Sequence, residues 1–118
     1  MEQLSTWASA LTYASNRRYN GLVGHLATIT TQVEFDGLRK LLGSDPVWIG
    51  ATNAGSLGVY TWVGTNDQGG IVDSDYWYSQ PPFTSVYCVT TEAAKNGKLL
   101  TSPCTFTYHY VVEYERMF

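Results

Sequence analysis

Residues 80–104 read QPPFTSVYCVTTEAAKNGKLLTSPC and hold both cysteines of the chain, Cys88 and Cys104, with fifteen residues between them. Three chemistries fit such a pair: a structural disulfide, half of a metal site, or a reactive thiol beside an inert one. Zinc is the weakest of these, because two cysteines without neighbouring histidines leave a tetrahedral shell half empty. The stretch also carries strand and turn signals. Residues 87–92, YCVTTE, are aromatic and β-branched, and Lys95-Asn96-Gly97-Lys98 is a hairpin turn of the Asn-Gly kind.

Outward from this hairpin the strand pattern continues on both sides. YHYVVEYE (108–115) reads as a strand by aromatic and β-branched content, and upstream VWIGAT (47–52) and VYTWVG (59–64) flank a turn at Asn53–Gly58. Between them, residues 64–85 carry glycines, prolines and aspartates with no sustained period, which predicts a long surface loop. The first third has helical period instead. Trp7, Ala10, Leu11 and Ala14 fall at i, i+3, i+4 and i+7, with Ser5 or Thr6 as N-cap and Asn20-Gly21 as the stop. A second helix is predicted over about 31–42, with Thr31 capping, Glu34 at N3, Phe35, Leu38, Leu41 and Leu42 on one face, and Gly43 ending it. Helices first and strands after make the chain α+β. His25-Leu-Ala-Thr-Ile-Thr30 alternates imperfectly between the helices.

Composition narrows the function classes. The 118 residues fit one domain, 1–118, and are 44% hydrophobic, 14% aromatic and only 14% charged, with nine tyrosines and eleven glycines. Net charge is −3 and the bases are scattered apart from Arg17-Arg18 and Arg39-Lys40, so no basic face exists to meet nucleic acid. No apolar run approaches the ~20 residues of a membrane helix. Met1-Glu2-Gln3 has neither the basic start nor the apolar core of a secretory signal. The expectation is either a cytosolic protein or a piece of a longer secreted one.

The order of landmarks resembles that of the C-type lectin-like domain over about the whole chain. The residues carrying it are the Trp7-x-x-Ala10 helix, YNGLVGHLATIT (19–30), Trp48-Ile49-Gly50, Tyr60-x-Trp62, a proline-bearing long loop, and GKLLTSPC before the final VVEYE. The resemblance implies two helices flanking small antiparallel sheets, with an irregular loop over about 64–87. It pairs Cys88 with Cys104 as the family's inner disulfide, worth roughly 3 kcal/mol for a loop of this size and implying an oxidising, extracellular setting. The family's outer disulfide would use the positions of Ala14 and Val112, which should instead pack together. The chain starts almost at its first helix, without the terminal strand such domains often carry. We therefore expect a piece or repeat of a larger extracellular protein.

Family members that bind sugar through calcium use an acidic-Pro-Asn tripeptide in the loop, a glutamate before the inner cysteine and an Asn-Asp pair near its partner. The matching positions here are Gln80-Pro81-Pro82, Val86 and Leu100-Thr101, none of them a carboxylate, while Leu99 stands where tryptophan is usual. Auxiliary calcium positions fall on Asn53 and Leu57. No cofactor or metal is expected, since calcium requires six to eight oxygens; Asp67, Asp73 and Asp75 are the remaining loop carboxylates and read as turn formers.

Nor is an enzyme expected. His25 and His109 are the two histidines, without a nucleophile arrangement nearby, and no GxGxxG or Walker pattern occurs. What stands out is the aromatic loop: Tyr76, Trp77, Tyr78 and Phe83, followed by Tyr87; the resemblance implies that Trp77 packs inward, as one tryptophan of this loop does in the family. Rings of this kind are enriched where proteins meet proteins or sugars. Tyr76, Tyr78, Gln80, Pro81, Phe83 and Tyr87 are the expected contact residues, and Gln80-Pro81 resembles the position where the family often has a cis peptide. The partner is expected to be another protein or neighbouring domain; a glycan bound without calcium is the alternative. The chain has no N-x-Ser/Thr sequon.

Overall fold

Thr6, not Ser5, starts the first helix: its backbone is extended (φ −69°, ψ 163°) and its hydroxyl accepts the Ser9 N–H at 3.4 Å. The helix α1 runs Trp7–Ser15 and buries Trp7, Ala10 and Ala14, with Leu11 at the margin of the same cluster. It stops at Asn16, whose N–H reaches the Ala14 and Tyr13 carbonyls. The expected stop at Asn20-Gly21 is instead a hairpin turn. Both residues have positive φ, 49° and 81°, and they join β1 (Arg18–Tyr19) to β2 (Leu22–Leu26) in antiparallel register. An Asn-Gly pair supplies the left-handed backbone that such a turn needs at both positions.

The computed structural model describes residues 4–29, 32–40, 42, 45–55, 57–63, 70–72, 76–92 and 98–115. Helix α2, Gln32–Arg39, buries Phe35 and Leu38 as its stripe predicts, and Leu42 packs against the same cluster beyond the helix end. Thr31, Leu41 and Gly43 lie outside the described residues, as do 95–97 of the predicted hairpin turn and Asp67, Asp73 and Asp75.

Two sheets follow. The strands are β3 (Val47–Thr52), β4 (Thr61–Trp62), β5 (Cys88–Thr91), β6 (Leu99–Ser102), β7 (His109–Tyr110) and β8 (Val112–Glu115). One sheet has the order β1-β2-β8; the other runs β4-β3-β5-β6, with β7 pairing β3 in parallel. Of the predicted 59–64 strand, β4 covers Thr61–Trp62, the Tyr60 carbonyl accepts the Val72 N–H at 2.9 Å, and Gly64 lies outside the described residues. The single strand expected over 108–115 divides at Val111, where the chain crosses between sheets: Val111 N–H donates to Trp48 O at 3.4 Å and its carbonyl accepts from Ala27 N at 3.0 Å. All six residues of β3 are buried, so this strand is the spine between the two hydrophobic clusters.

One cluster gathers Ile29, Phe35, Ile49, Trp62, Val89 and Leu99 under α2; the other gathers Trp7, Ala14, Leu26, Trp48 and Tyr110 under α1. Cys88 and Cys104 are bonded, with Cα atoms 5.1 Å apart, and the Cys104 carbonyl accepts the Trp7 N–H at 3.3 Å, so the crosslink ties β5 to the start of α1. Ala14 and Val112 belong to this second cluster and close on either side of Gly24.

Candidate functional site

The end of the five-stranded sheet carries the loop residues. The Tyr78 N–H donates to Leu99 O at 2.9 Å, and Trp77 bridges Leu99 in parallel, so this part of the loop lies along the edge of β6. Tyr60, following the 53–58 turn, is the hub on the other side. Its hydroxyl donates to the Pro82 carbonyl at 2.6 Å, and its ring meets Trp77 edge-on at 5.1 Å and Phe83 at 5.9 Å. Burial pushes the Tyr60 phenol up from its ordinary pKa, and the neighbouring Tyr87 phenol adds to the shift.

The predicted contact residues divide. Tyr76 is a core ring, 8% exposed and stacked on Phe35 at 5.1 Å. Its aromatic character serves packing under α2, which corrects its assignment to a contact surface. Pro81 is buried as well, and the Gln80–Pro81 bond is trans, the form favoured by about 0.5–1 kcal/mol. Tyr87 is half-buried, Trp77 likewise, packed against the first cluster. Tyr78, Gln80 and Phe83 are exposed. Gln80, Pro81 and Phe83 line a groove of about 540 Å³ together with Tyr60, Ile71 and Trp77, with no charged side chain on its described walls; Tyr78 lies outside that lining. The loop is thus less of a surface loop than its composition predicts: Val72, Tyr76 and Pro81 turn inward.

Sequence reasoning missed Tyr60 and Ile71 as groove residues. Tyr60 was legible only as a landmark of the fold, and Ile71 sits in a stretch without period. The histidines play no part here. His25, on β2, is buried; its Nδ1 lies 2.6 Å from the Leu26 carbonyl, and its Nε2 is 3.6 Å from Glu113 Oε1. Among the described residues no group of three His, Cys, Asp or Glu side chains could hold a metal ion.

A family model described as Lectin C-type domain matches residues 4–113. The chain belongs to the C-type lectin domain family. It is 39% identical over 64 residues, 54% of its length, to halomucin of Haloquadratum walsbyi, and 26% identical over 109 residues, 90% of its length, to human C-type lectin domain family 4 member K. It spans 1% of the first protein and 32% of the second. Among solved structures, the C-type lectin TC14 of the tunicate Polyandrocarpa misakiensis superposes with a TM-score of 0.76 at 19% identity, covering 100% of this chain and 95% of that one. A calcium-independent type II antifreeze protein gives 0.69 at 23% identity, covering 98% and 82%. These structures share its fold.

In this C-type lectin domain the positions matching the calcium-ligand pattern, Val86 excepted, line a smaller depression of about 170 Å³ that adjoins the groove and shares Trp77, Gln80 and Pro81 with it, with Pro82, Leu100 and Thr101 as its other wall. Val86, at the position of the expected glutamate, is 48% exposed. The amide of Gln80 and the hydroxyl of Thr101 are neutral donors, far short of the oxygen set calcium takes. The residues present do not fit the ion. At the tryptophan position, Leu99 is fully buried in the core.

Proposed function

We propose that this C-type lectin domain is a non-catalytic binding module that works without calcium and contacts another protein or a neighbouring domain through its long loop. The observation that carries this reading is the groove lined by Tyr60, Ile71, Trp77 and Phe83, without a charged side chain among its described residues, in which Ile71 and Phe83 are 71% and 40% exposed. Apolar side chains gathered at one place on a surface, with few charges among them, have the composition of an interface core. The rigid sheet beneath supplies preorganisation, because Tyr78 and Pro82 are tied by hydrogen bonds to β6 and to Tyr60. The disulfide supports an oxidising, extracellular setting. The small share of each relative that the chain spans supports a module within a larger protein.

A calcium-independent glycan is the second reading. It is favoured by the smaller depression, where the half-buried Trp77 ring stands beside the Gln80 amide and the Thr101 hydroxyl. A glycan array probed with calcium and again with chelator separates the two. The protein-contact reading expects a blank array under both conditions, and a signal indifferent to chelator establishes the glycan reading. Binding that chelator abolishes would sink both.

A further inference from the structure

We infer that the side-chain amide of Asn53 takes the place of a divalent cation in positioning the contact loop, so that the loop keeps its shape whether or not calcium is present. This rests on the reading of that loop as the contact surface and names the residue that sets it.

Asn53 follows β3 and is fully buried. Its Nδ2 donates to two backbone carbonyls, Leu57 O at 3.1 Å and Ser85 O at 2.9 Å, while its Oδ1 accepts the Tyr87 N–H at 2.8 Å. One side chain therefore joins three segments: the end of β3, the turn at 53–58 and the last residues of the long loop. Thr52 reinforces it, donating from Oγ1 to the Tyr87 carbonyl at 2.7 Å and accepting the Ala54 N–H at 3.2 Å.

Two carbonyl oxygens converging on one buried point need something electropositive between them. A cation can supply it, but it would demand six to eight oxygens and a compensating negative charge. An NH₂ group supplies it with two N–H bonds and no charge to bury. Here the Leu57 and Ser85 carbonyls already receive the amide hydrogens, the Asn53 Oδ1 already receives the Tyr87 N–H, and a nitrogen of this kind cannot ligate calcium. The two positions that the resemblance assigns to an auxiliary ion, Asn53 and Leu57, are bonded to each other. The amide fills the role and closes the site to the ion.

The test follows amide hydrogen exchange at Tyr87 in the wild-type domain, in calcium and in chelator, and compares Asn53→Ala and Asn53→Asp. We expect wild-type exchange to be the same under both conditions and to quicken about tenfold in Asn53→Ala, the size of one lost buried hydrogen bond. Asn53→Asp sets a carboxylate against two carbonyl oxygens. Its thermal midpoint should fall in chelator and recover at the roughly millimolar calcium that weak extracellular sites require, a rescue that lost packing alone would not give. Wild-type exchange at Tyr87 that depends on calcium, or an Asn53→Asp midpoint that calcium does not move, overturns the inference. The wild-type arm needs no variant to fold. No binding partner enters the measurement, so a failed search for the partner and a failed Asn53 are separate results.

Discussion

Trp7 and Trp48 exchange hydrogen bonds across the interface of α1 and β3. The Trp7 indole donates to the Ile49 carbonyl at 2.9 Å, and the Trp48 indole donates to the Ser5 carbonyl at 2.8 Å. Each ring thus satisfies a backbone acceptor beside the other, and both are buried. Trp7→Phe removes one donor while keeping a ring, and should lower stability by about 1–3 kcal/mol. Trp48→Phe should cost more, since that ring is fully buried and also meets Tyr108 edge-on at 4.9 Å. Urea unfolding followed by circular dichroism measures both, and equal stabilities would show that packing alone, without the exchanged bonds, fixes the helix on the sheet.

Two glycines make opposite predictions. A Cβ added at Gly24 would lie 2.5 Å from the Ala14 carbonyl oxygen and 2.9 Å from Arg17 Cβ, contacts that cannot relax without moving α1 away from β2. Gly24→Ala should therefore destabilise by about 1–3 kcal/mol or more. A Cβ at Gly37, inside α2, would meet nothing within 4 Å among the described residues, and Gly37→Ala should stabilise by roughly 0.5–1 kcal/mol through the reduced freedom of the unfolded chain. A thermal melt of each variant decides the sign.

These contacts also explain which parts of the fold were legible in the sequence. The α1 stripe was readable because Trp7, Ala10 and Ala14 recur at helical spacing and end up buried together. The β1–β2 hairpin was not, because Asn20-Gly21 signals a helix stop and a tight turn equally well, and β2 buries Gly24 and His25 rather than alternating. Residues 108–115 had strand character, yet nothing local marks Val111 as the place where the chain leaves one sheet for the other. At the site, a run of aromatic residues in a polar loop announces large rings without saying which turn inward. Tyr76 finds Phe35 from a helix some forty residues upstream, a partner that only the tertiary fold supplies. Asn53 was visible as the start of a turn and as a position where the family places an ion, and its three bonds depend on the Leu57 and Ser85 carbonyls and the Tyr87 N–H that the tertiary fold brings in.

Cys88 and Cys104 close a loop with a sequence separation of 16 residues and hold the segment that accepts the Trp7 N–H. Replacing both with alanine should cost about 2–4 kcal/mol. Intact mass should rise by two hydrogens when the unfolded wild-type chain is reduced. An unchanged mass would mean that the thiols are not joined.

Alkaline pH offers the last prediction. Tyr60 and Tyr110 both have phenol pKa values raised above the ordinary one, in each case first by burial. Tyr87 adds to the shift at Tyr60; at Tyr110 the Arg17 guanidinium opposes it and Tyr13 adds to it. A raised folded pKa means that the native state holds its phenol protons more tightly than the unfolded chain does. The stability these protons confer is fully present below the unfolded tyrosine value of about 10 and is lost as pH climbs through the folded values. Denaturant midpoints should accordingly stay level approaching that pH and then fall, by up to about 1.4 kcal/mol per pH unit for each tyrosine. Tyr60→Phe should lose about 0.5–1.5 kcal/mol at neutral pH with its bond to the Pro82 carbonyl. The loss should sit toward the lower end because Pro82 is exposed and water can replace the donor. In exchange, its alkaline limb should be shallower than that of the wild type, and shallower again with Tyr110→Phe added. An alkaline limb unchanged in the double variant would assign the fall to other groups and remove burial of these two phenols as its cause.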